Sequence, residues 1–266
     1  MGKAKKYLSI AGKSVQNTIS YRLSYFMNLF AGWIGLFSMY YLWKAIYSGR
    51  SELAGFTWEE MKAYLVVTFI ANSLLSYYSE TRISSKILDG SVAIDLLKPI
   101  DFQKARFAET LGSCLIEGAV GAVLVGILGL AVIDVRLSMD WQTGGLLMIS
   151  LACSLLVKFG IVYLTALLCF WTTGSLGLVW ARQAVTNLLS GALVPLAFFP
   201  TGLERFALVL PFQSIVHTPA SLALGNLSGA AALEMVGLQL FWAIFLWFAG
   251  KLLWSRAVRQ ITIHGG

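Results

Sequence analysis

Two ionisable residues, Glu117 and Lys158, lie inside long apolar stretches of this 266-residue chain. Counted along their stretches at 1.5 Å per residue, both side chains fall roughly 10 Å from the same membrane boundary. An unpaired charge at mid-membrane costs about 2.5–3.5 kcal/mol even on the lenient insertion scale. Either these residues line a route for a translocated solute, or they form a structural ion pair, or Lys158 extends its ammonium group to the interface.

The strongest candidate for a nucleotide site is the tripeptide Gly12-Lys13-Ser14, which resembles the end of a phosphate-binding loop. That loop needs a glycine five residues before Gly12 and a preceding strand. The chain has Tyr7 at this position, on a predicted amphipathic helix. We therefore predict that this chain binds no nucleotide, and that ATP with its Mg is bound by a partner if ATP drives the protein.

The remaining reactive side chains do not form a catalytic or metal-binding pattern. Cys114, Cys153 and Cys169 all fall inside apolar stretches, as small packing residues do. His217 and His264 are far apart in the sequence and belong to no cluster with metal-ligand spacing. The sequence shows no Ser/His/Asp, Cys/His or paired-carboxylate constellation, so we expect no catalytic residue, no metal site and no bound cofactor.

The elements that carry Glu117 and Lys158 belong to a set of six apolar stretches. Hydrophobic residues make up 58% of the chain and charged residues only 12%, which is about half the charged fraction of a soluble domain. A helix of about 20 apolar residues crosses the hydrocarbon core, where every backbone amide must be hydrogen-bonded. We predict an all-α membrane protein with six transmembrane helices, at residues 25–47, 64–78, 111–133, 144–171, 180–199 and 235–254.

The net charge of +7 is explained by membrane topology rather than by nucleic-acid binding. With the N-terminus in the cytoplasm, fourteen of the twenty lysines and arginines fall inside and five fall outside, while Lys158 lies within a span. This distribution follows the positive-inside rule and places both termini in the cytoplasm. We predict a multi-pass membrane protein in contact with lipid, without a nucleic-acid partner.

The segment before the first span predicts a helix that does not cross the membrane. Leu8, Ala11, Val15 and Ile19 share one face of a helical wheel, opposite a face of lysines and polar side chains. This pattern is typical of a helix that lies flat on the cytoplasmic surface, with its cations among anionic headgroups. The alternative is a solvated tail.

Two connecting segments are too apolar to be simple loops. Residues 80–110 mix isoleucine and leucine with charges, which predicts one or two short amphipathic helices that pack on a partner protein or on the chain's own spans. Residues 200–233 contain apolar pieces too short to cross, which predicts re-entrant or interfacial helices on the outer side. The single transmembrane domain of residues 1–266 therefore divides into residues 1–24, 25–79, 80–110, 111–199, 200–233 and 234–266.

Two motifs resemble those of a known transporter family. Residues 83–100, ISSKILDGSVAIDLLKPI, combine a short helix, a glycine, a hydrophobic patch and a leucine pair that runs into proline. Residues 190–195, SGALVP, lead through Phe199-Pro200 to Leu210-Pro211-Phe212. With six spans and an amphipathic N-terminal helix, the chain resembles the ABC-2 type transporter permeases, and within them a bacterial subgroup that includes viologen and drug exporters.

The resemblance implies a permease subunit of an ATP-driven exporter in the bacterial inner membrane. Two permease subunits, either identical or paralogous, would enclose a pathway. Two cytosolic ATPase subunits would drive alternating access and the export of a small amphipathic, cationic or lipid-like compound. The other function that the residues leave open is a self-sufficient secondary transporter or channel without an ATPase.

The resemblance also implies roles for two groups of residues. It assigns coupling to the ATPase to Ile83, Lys86, Ile87, Asp89, Gly90, Ile94, Leu96 and Leu97. It assigns an outer gate to Pro195, Phe198, Phe199, Pro200, Pro211 and Phe212.

Overall fold

The computed structural model describes residues 3–20, 22–73, 77–128, 141–172 and 174–260. Strand within these residues is limited to a hairpin of two-residue strands, Glu52–Leu53 (β1) and Phe56–Thr57 (β2), so the predicted all-α class is confirmed. The helices are α1 (Lys3–Ser20), α2 (Arg22–Ile46), α3 (Trp58–Ser73), α4 (Tyr77–Leu88), α5 (Val92–Leu96), α6 (Phe102–Leu128), α7 (Trp141–Leu167), α8 (Leu176–Leu189), α9 (Thr201–Val209), α10 (His217–Ala223) and α11 (Gly229–Ala257). Short 3₁₀ segments cover Leu168–Phe170, Leu196–Phe198, Pro211–Ser214 and Val258–Gln260.

Three helical stretches of the described residues are long and apolar enough to cross a membrane. They are Leu29–Ile46, Trp141–Phe170 and Gly229–Gln260. These stretches coincide with the first, fourth and sixth predicted spans, and they indicate an integral membrane protein. The other three predicted spans stay predictions.

The helices at the second, third and fifth predicted spans are α3, α6 and α8, and they cover different fractions of those spans. Helix α3 runs to Ser73, and α6 runs to Leu128; the predicted spans continue into residues 74–76 and 129–133, which lie outside the described residues. Helix α8 ends at Leu189, ten residues before the end of the predicted fifth span. The helix ends there because Gly191, two residues beyond Leu189, takes a left-handed φ of +84°, the conformation that commonly closes a helix C-terminus.

The start of α3 is determined locally by a capping box. The hydroxyl of Thr57 accepts a hydrogen bond from the Glu60 amide at 3.3 Å, and the Glu60 carboxylate accepts one from the Thr57 amide at 2.8 Å. The preceding hairpin reverses at Ala54 and Gly55, whose φ angles of 49° and 80° fit the tight turns that match strand twist. Helix α3 therefore begins at Trp58, six residues before its predicted span.

Helix α7 is at the centre of the packing and separates two hydrophobic cores. Val157 and Ile161 join a core that includes α3 and α10, whereas Phe159 and Tyr163 join a core that includes α4, α5 and the start of α6. Helix α11 packs along α7, and its Trp254 stacks on the start of α6 at a centroid distance of 4.1 Å. The two-helix segment (α4, α5 and the turn between them) thus lies at the C-terminal ends of α7 and α11, and α10 lies with their N-terminal halves.

Helix α1 docks on α6 through its small residues Ala11 and Ser14 rather than through the larger side chains of its apolar face, Leu8 and Ile19. Ser14 donates a hydrogen bond from its hydroxyl to the Glu109 carbonyl oxygen at 2.7 Å. A Cβ on Gly112 would overlap the Ala11 carbonyl oxygen, so only glycine permits this approach. Leu8 and Ile19, from the predicted apolar face, are 70% and 56% exposed. These two large side chains are therefore left for an apolar environment outside the chain, as a helix at a membrane surface requires; the surface location itself stays a prediction.

Candidate functional site

The two-helix segment reverses sharply at Asp89-Gly90. Gly90 has a φ of +74°, a left-handed conformation that closes the C-terminus of α4 and that other residues adopt only with strain. The Asp89 carboxylate accepts a hydrogen bond from the Ser91 amide at 2.8 Å. Hydrogen bonds from the Ser91 hydroxyl and amide hold the pKa of Asp89 below its ordinary value. The turn therefore directs α5 back across the end of the bundle. The ionised carboxylate of Asp89 is exposed at this turn.

This segment has two faces with different surroundings. Ile83, Ile87 and Val92 are buried against α7 in the second core. The opposite face exposes Leu88, Ile94, Leu96 and Leu97, of which Ile94 is 61% and Leu97 85% exposed. The predicted coupling residues are thus divided: Ile83 and Ile87 anchor the segment to the bundle, while the remaining apolar ones are accessible to a partner.

Asp95 is the centre of an ion-pair cluster that the sequence reasoning missed. Its carboxylate lies 2.9 Å from the Lys86 ammonium, 2.6 Å from that of Lys98 and 3.4 Å from the Arg106 guanidinium. The Asp95 side chain is only 4% exposed. Burial alone raises the pKa of this carboxyl group, but hydrogen bonds from Lys98 and Lys86 and the charge of Arg106 outweigh burial and hold the pKa below its ordinary value.

The cluster continues along α6 and returns to α4. Arg106 also contacts the Glu109 carboxylate at 2.6 Å, and Glu109 contacts the Arg82 guanidinium at 2.8 Å. The alternating charges therefore form a chain from Lys86 of α4 through α5 and α6 back to Arg82 of α4, and its two terminal cations are one helical turn apart. We call Arg82, Lys86, Asp95, Lys98, Arg106 and Glu109 the ion-pair cluster.

The start of α6 and helix α1 complete this end of the molecule. Asp101 caps α6 by accepting a hydrogen bond from the Lys104 amide at 2.9 Å, and the Asp101 amide donates to the Tyr7 hydroxyl of α1 at 3.2 Å. A small polar pocket between α1, α4 and α6 is lined by Ser14, Thr18, Arg82, Arg106, Glu109 and Thr110, among others. Four helices therefore meet around one partly buried group of charges.

A sequence signal for the ion-pair cluster exists in the spacing of its members. Arg82 and Lys86 recur at i and i+4, and Arg106 and Glu109 at i and i+3, on either side of Asp95. In the charge count these cations were treated only as markers of topology. Recognising the cluster would have required knowing that the chain turns at Gly90 and again near Pro99.

The two predicted intramembrane charges are both buried. Lys158 donates a hydrogen bond from its ammonium group to the Asn72 carbonyl oxygen at 2.8 Å, near the end of α3. A cation is favoured beside the carbonyls of a helix C-terminus. Glu117 and Lys158 are 6% and 7% exposed. A role in a translocation route stays a prediction.

The predicted outer-gate residues include Phe198, which packs with the aromatic side chains of Trp43 and Phe56. Phe198 contacts Trp43 of α2 at a centroid distance of 5.1 Å and Phe56 at 6.1 Å. Phe198 and Phe212 pack on the first core, and Pro195 and Pro211 are buried. Phe199 is half-buried, and Pro200 is exposed. Their function as a gate stays a prediction.

A second polar group, also missed from the sequence, fixes the segment between α9 and α10. The Ser214 carbonyl oxygen accepts hydrogen bonds from the Ser154 hydroxyl and from the Gln239 amide, each at 2.7 Å. Gln213 accepts a hydrogen bond from Thr218 and donates one to the Ser214 hydroxyl at 3.3 Å. We call Ser150, Ser154, Gln213, Ser214, Thr218 and Gln239 the hydroxyl–amide cluster; all of them are essentially inaccessible.

This second cluster lies well inside the bundle. Ser154 is thirteen residues into α7 and Gln239 ten residues into α11, or about 15–20 Å from the helix starts at 1.5 Å per residue. Irregular backbone at such depth is tolerated only where the protein buries it and satisfies its polar groups. The two hydrogen bonds to Ser214 meet this requirement.

Comparison with known proteins gives one result. The sequence model of a family described as ABC-2 family transporter protein matches residues 34–265 of the chain. No curated protein matches the chain significantly.

Proposed function

This chain belongs to the ABC-2 family of transporter proteins, and we propose that it is the membrane-spanning subunit of an ATP-driven exporter. Membership of the family implies a permease component that works with an ATPase partner. The proposal adds direction and substrate: export of a small amphipathic or cationic compound, or a lipid-like one. It also adds six spans, both termini in the cytoplasm, the bacterial inner membrane, and a second permease subunit.

The observation that carries this proposal is the two-faced geometry of the two-helix segment. One face is anchored in the core through Ile83 and Ile87, and the other presents Leu88, Ile94, Leu96 and Leu97 to the surroundings. Exposed apolar side chains next to charged ones are typical of a surface that binds another protein. A partner protein bound to this exposed face can displace the two-helix segment, which is anchored to the bundle by its other face.

In the proposed cycle, ATP binding closes two ATPase subunits beneath two permeases. Nucleotide shifts the permease between inward-open and outward-open states only through contacts that differ between those states. We assign these contacts to the exposed face of the two-helix segment, with Lys86, Asp89 and Gly90 shaping it. The outer gate is assigned to Phe198, Phe199, Phe212 and the neighbouring prolines.

The proposal is tested by Leu97→Asp in the purified complex. A carboxylate placed in an apolar interface loses its hydration without gaining a partner. We expect the amount of ABC ATPase that co-purifies with the permease to fall by about tenfold, which corresponds to about 1.4 kcal/mol. ATP-driven uptake of ethidium into inverted vesicles should fall with it.

The matched control is Leu203→Asp, the same change at an exposed leucine of α9. This variant should keep both the ATPase and ethidium transport, because the proposed topology places α9 on the outer side. Vesicles that contain the permease alone and concentrate ethidium in response to an ion gradient would instead support the secondary transporter or channel.

A further inference from the structure

The ion-pair cluster connects the two-helix segment to α6 at two points of unequal burial. Arg106 holds Asp95 of α5 with a side chain that is 7% exposed, whereas Arg82 of α4 reaches Glu109 from a more exposed position. Arg106 is also the residue whose guanidinium contacts both carboxylates, at 3.4 Å and 2.6 Å. The more buried of the two connections, between α5 and α6, therefore depends on the guanidinium group of Arg106.

The orientation of Arg106 is set by its own helix. Glu109, three residues further along α6, holds one end of the guanidinium, and the Phe102 ring lies 5.3 Å from its central carbon. The planar fork of arginine can hold two carboxylates at once, which a single ammonium group cannot do with the same geometry. The guanidinium of Arg106 is thus held in place as the cation that pairs with Asp95.

Helix α6 is in turn tightly joined to α1. Besides the hydrogen bond from Ser14 to the Glu109 carbonyl oxygen, the two backbones approach closely where Gly112 lies against Ala11. A displacement of α6 must therefore carry α1 with it. Through Asp95, a displacement of the two-helix segment reaches both helices.

The stability of the protein does not by itself account for such a cluster. Replacing buried ion pairs by apolar side chains of similar volume is often neutral or stabilising, whereas ion pairs favour particular geometries. Asp95 also lies one residue from Leu96 and two from Leu97, the exposed residues assigned to the ATPase contact. A force applied at those leucines acts directly beside the carboxylate that Arg106 holds.

From this geometry, and resting on the proposed function, we propose that Arg106 is the positioning residue that transmits displacement of the two-helix segment to α6 and α1. With Arg106 in place, the segment, α6 and α1 move together when the ATPases close. Without the guanidinium group of Arg106, the two-helix segment still moves, but α6 and α1 move less.

The test uses paired spin labels on the complete complex, in a background whose three native cysteines are replaced by alanine. One pair joins exposed Ser85 of α4 to exposed Ser255 of α11, and the other joins exposed Gln16 of α1 to Ser255. Distances are measured by double electron–electron resonance before and after trapping with ATP and vanadate. In the parent protein, both distances should change.

In Arg106→Lys, the 85–255 distance should still change, but the change in the 16–255 distance should shrink by about threefold or more, as expected for a residue that carries coupling. The matched control Arg82→Lys makes the same substitution at a side chain that needs only one contact. It should leave both changes as in the parent protein. An undiminished 16–255 change in Arg106→Lys would overturn the proposal.

Two further outcomes are also decisive. If Arg106→Lys does not assemble, the isosteric Asp95→Asn removes the same connection from the other side, and the same loss of the 16–255 change is expected; its retention overturns the proposal. If neither distance in the parent protein responds to nucleotide, the proposed function itself fails, and this inference falls with it.

Discussion

The ion-pair cluster and the hydroxyl–amide cluster do the same structural task with different chemistry. Each attaches a short-helix segment to the long helices: α4 and α5 to α6 in one case, and the turn before α10 to α7 and α11 in the other. The first uses full charges, and three of its cations, Arg82, Lys86 and Lys98, reach the surface. The second uses hydroxyl and amide groups that are almost completely inaccessible.

The difference follows from the environment at each end. A charge in a low-dielectric interior loses hydration worth several kcal/mol, and its partner recovers this only with good geometry. Near water this loss of hydration free energy is smaller, so Asp95 can form ion pairs with three cations. At the depth of Ser214, neutral donors satisfy the backbone carbonyl without that penalty.

The largest effect is expected from placing a charge in the neutral cluster. Gln239→Glu keeps the side-chain shape, but removes the donors to the Ser214 carbonyl and introduces a carboxylate. We expect a loss of about 3–4 kcal/mol in the free energy of unfolding, measured by denaturant titration in detergent. The control Gln239→Leu loses the hydrogen bonds without adding charge and should cost about 1 kcal/mol. Equal losses in the two variants would show that the cluster tolerates charge.

A smaller effect is expected from removing the central charge of the other cluster. Asp95→Ala leaves the buried Arg106 beside Lys86 and Lys98 without their shared carboxylate. We expect a loss of about 2–3 kcal/mol, at or below the range for a broken buried pair because the lysines can turn to water. Lys98→Met removes one exposed partner and should change stability by less than about 1 kcal/mol in the same titration. A larger cost for Lys98→Met than for Asp95→Ala would contradict the central position of Asp95.

The smallest effect distinguishes the clusters by pH. The pKa of Asp95 is lower in the folded protein than its ordinary value of about 3.9, so its contribution is complete above that pH and is lost as pH falls through the folded pKa. The stability difference between the parent protein and Asp95→Asn should therefore shrink below about pH 4. The difference for Gln239→Leu should stay constant from pH 7 to pH 3, since no member of that cluster titrates there. Parallel pH profiles for the two variants would contradict the assignment.

Part of the fold could be predicted from the sequence because it depends on local pattern. Apolar length predicted the helical stretches that coincide with three of the six proposed spans, and the resemblance predicted the family. The early end of α8 was missed because composition alone does not show that Gly191 takes the left-handed conformation that ends the helix. The docking of α1 through Ala11 and Ser14 was also missed, because the wheel ranks faces by hydrophobicity and not by how closely backbones can approach.

The sequence did not predict how the side chains of the candidate site are arranged, and the coupling role of this segment stays a prediction. Residues 83–97 were identified as a coupling region, yet the exposed and the anchored members were not separated. The ion-pair cluster combines residues 86, 95 and 106, whose approach depends on the turn at Gly90 and on the cap of α6 at Asp101. No pattern within one helix contains that information.

The amino-acid sequence alone determines that this chain is apolar, helical and suited to a membrane, since those properties arise from side-chain transfer energies and backbone hydrogen bonding within each segment. Only the tertiary structure decides which charges meet at Asp95 and which amide reaches Ser214. Those pairings join residues far apart in the chain, and they exist because the packing of α7 against its neighbours brings the connecting segments to opposite halves of the bundle.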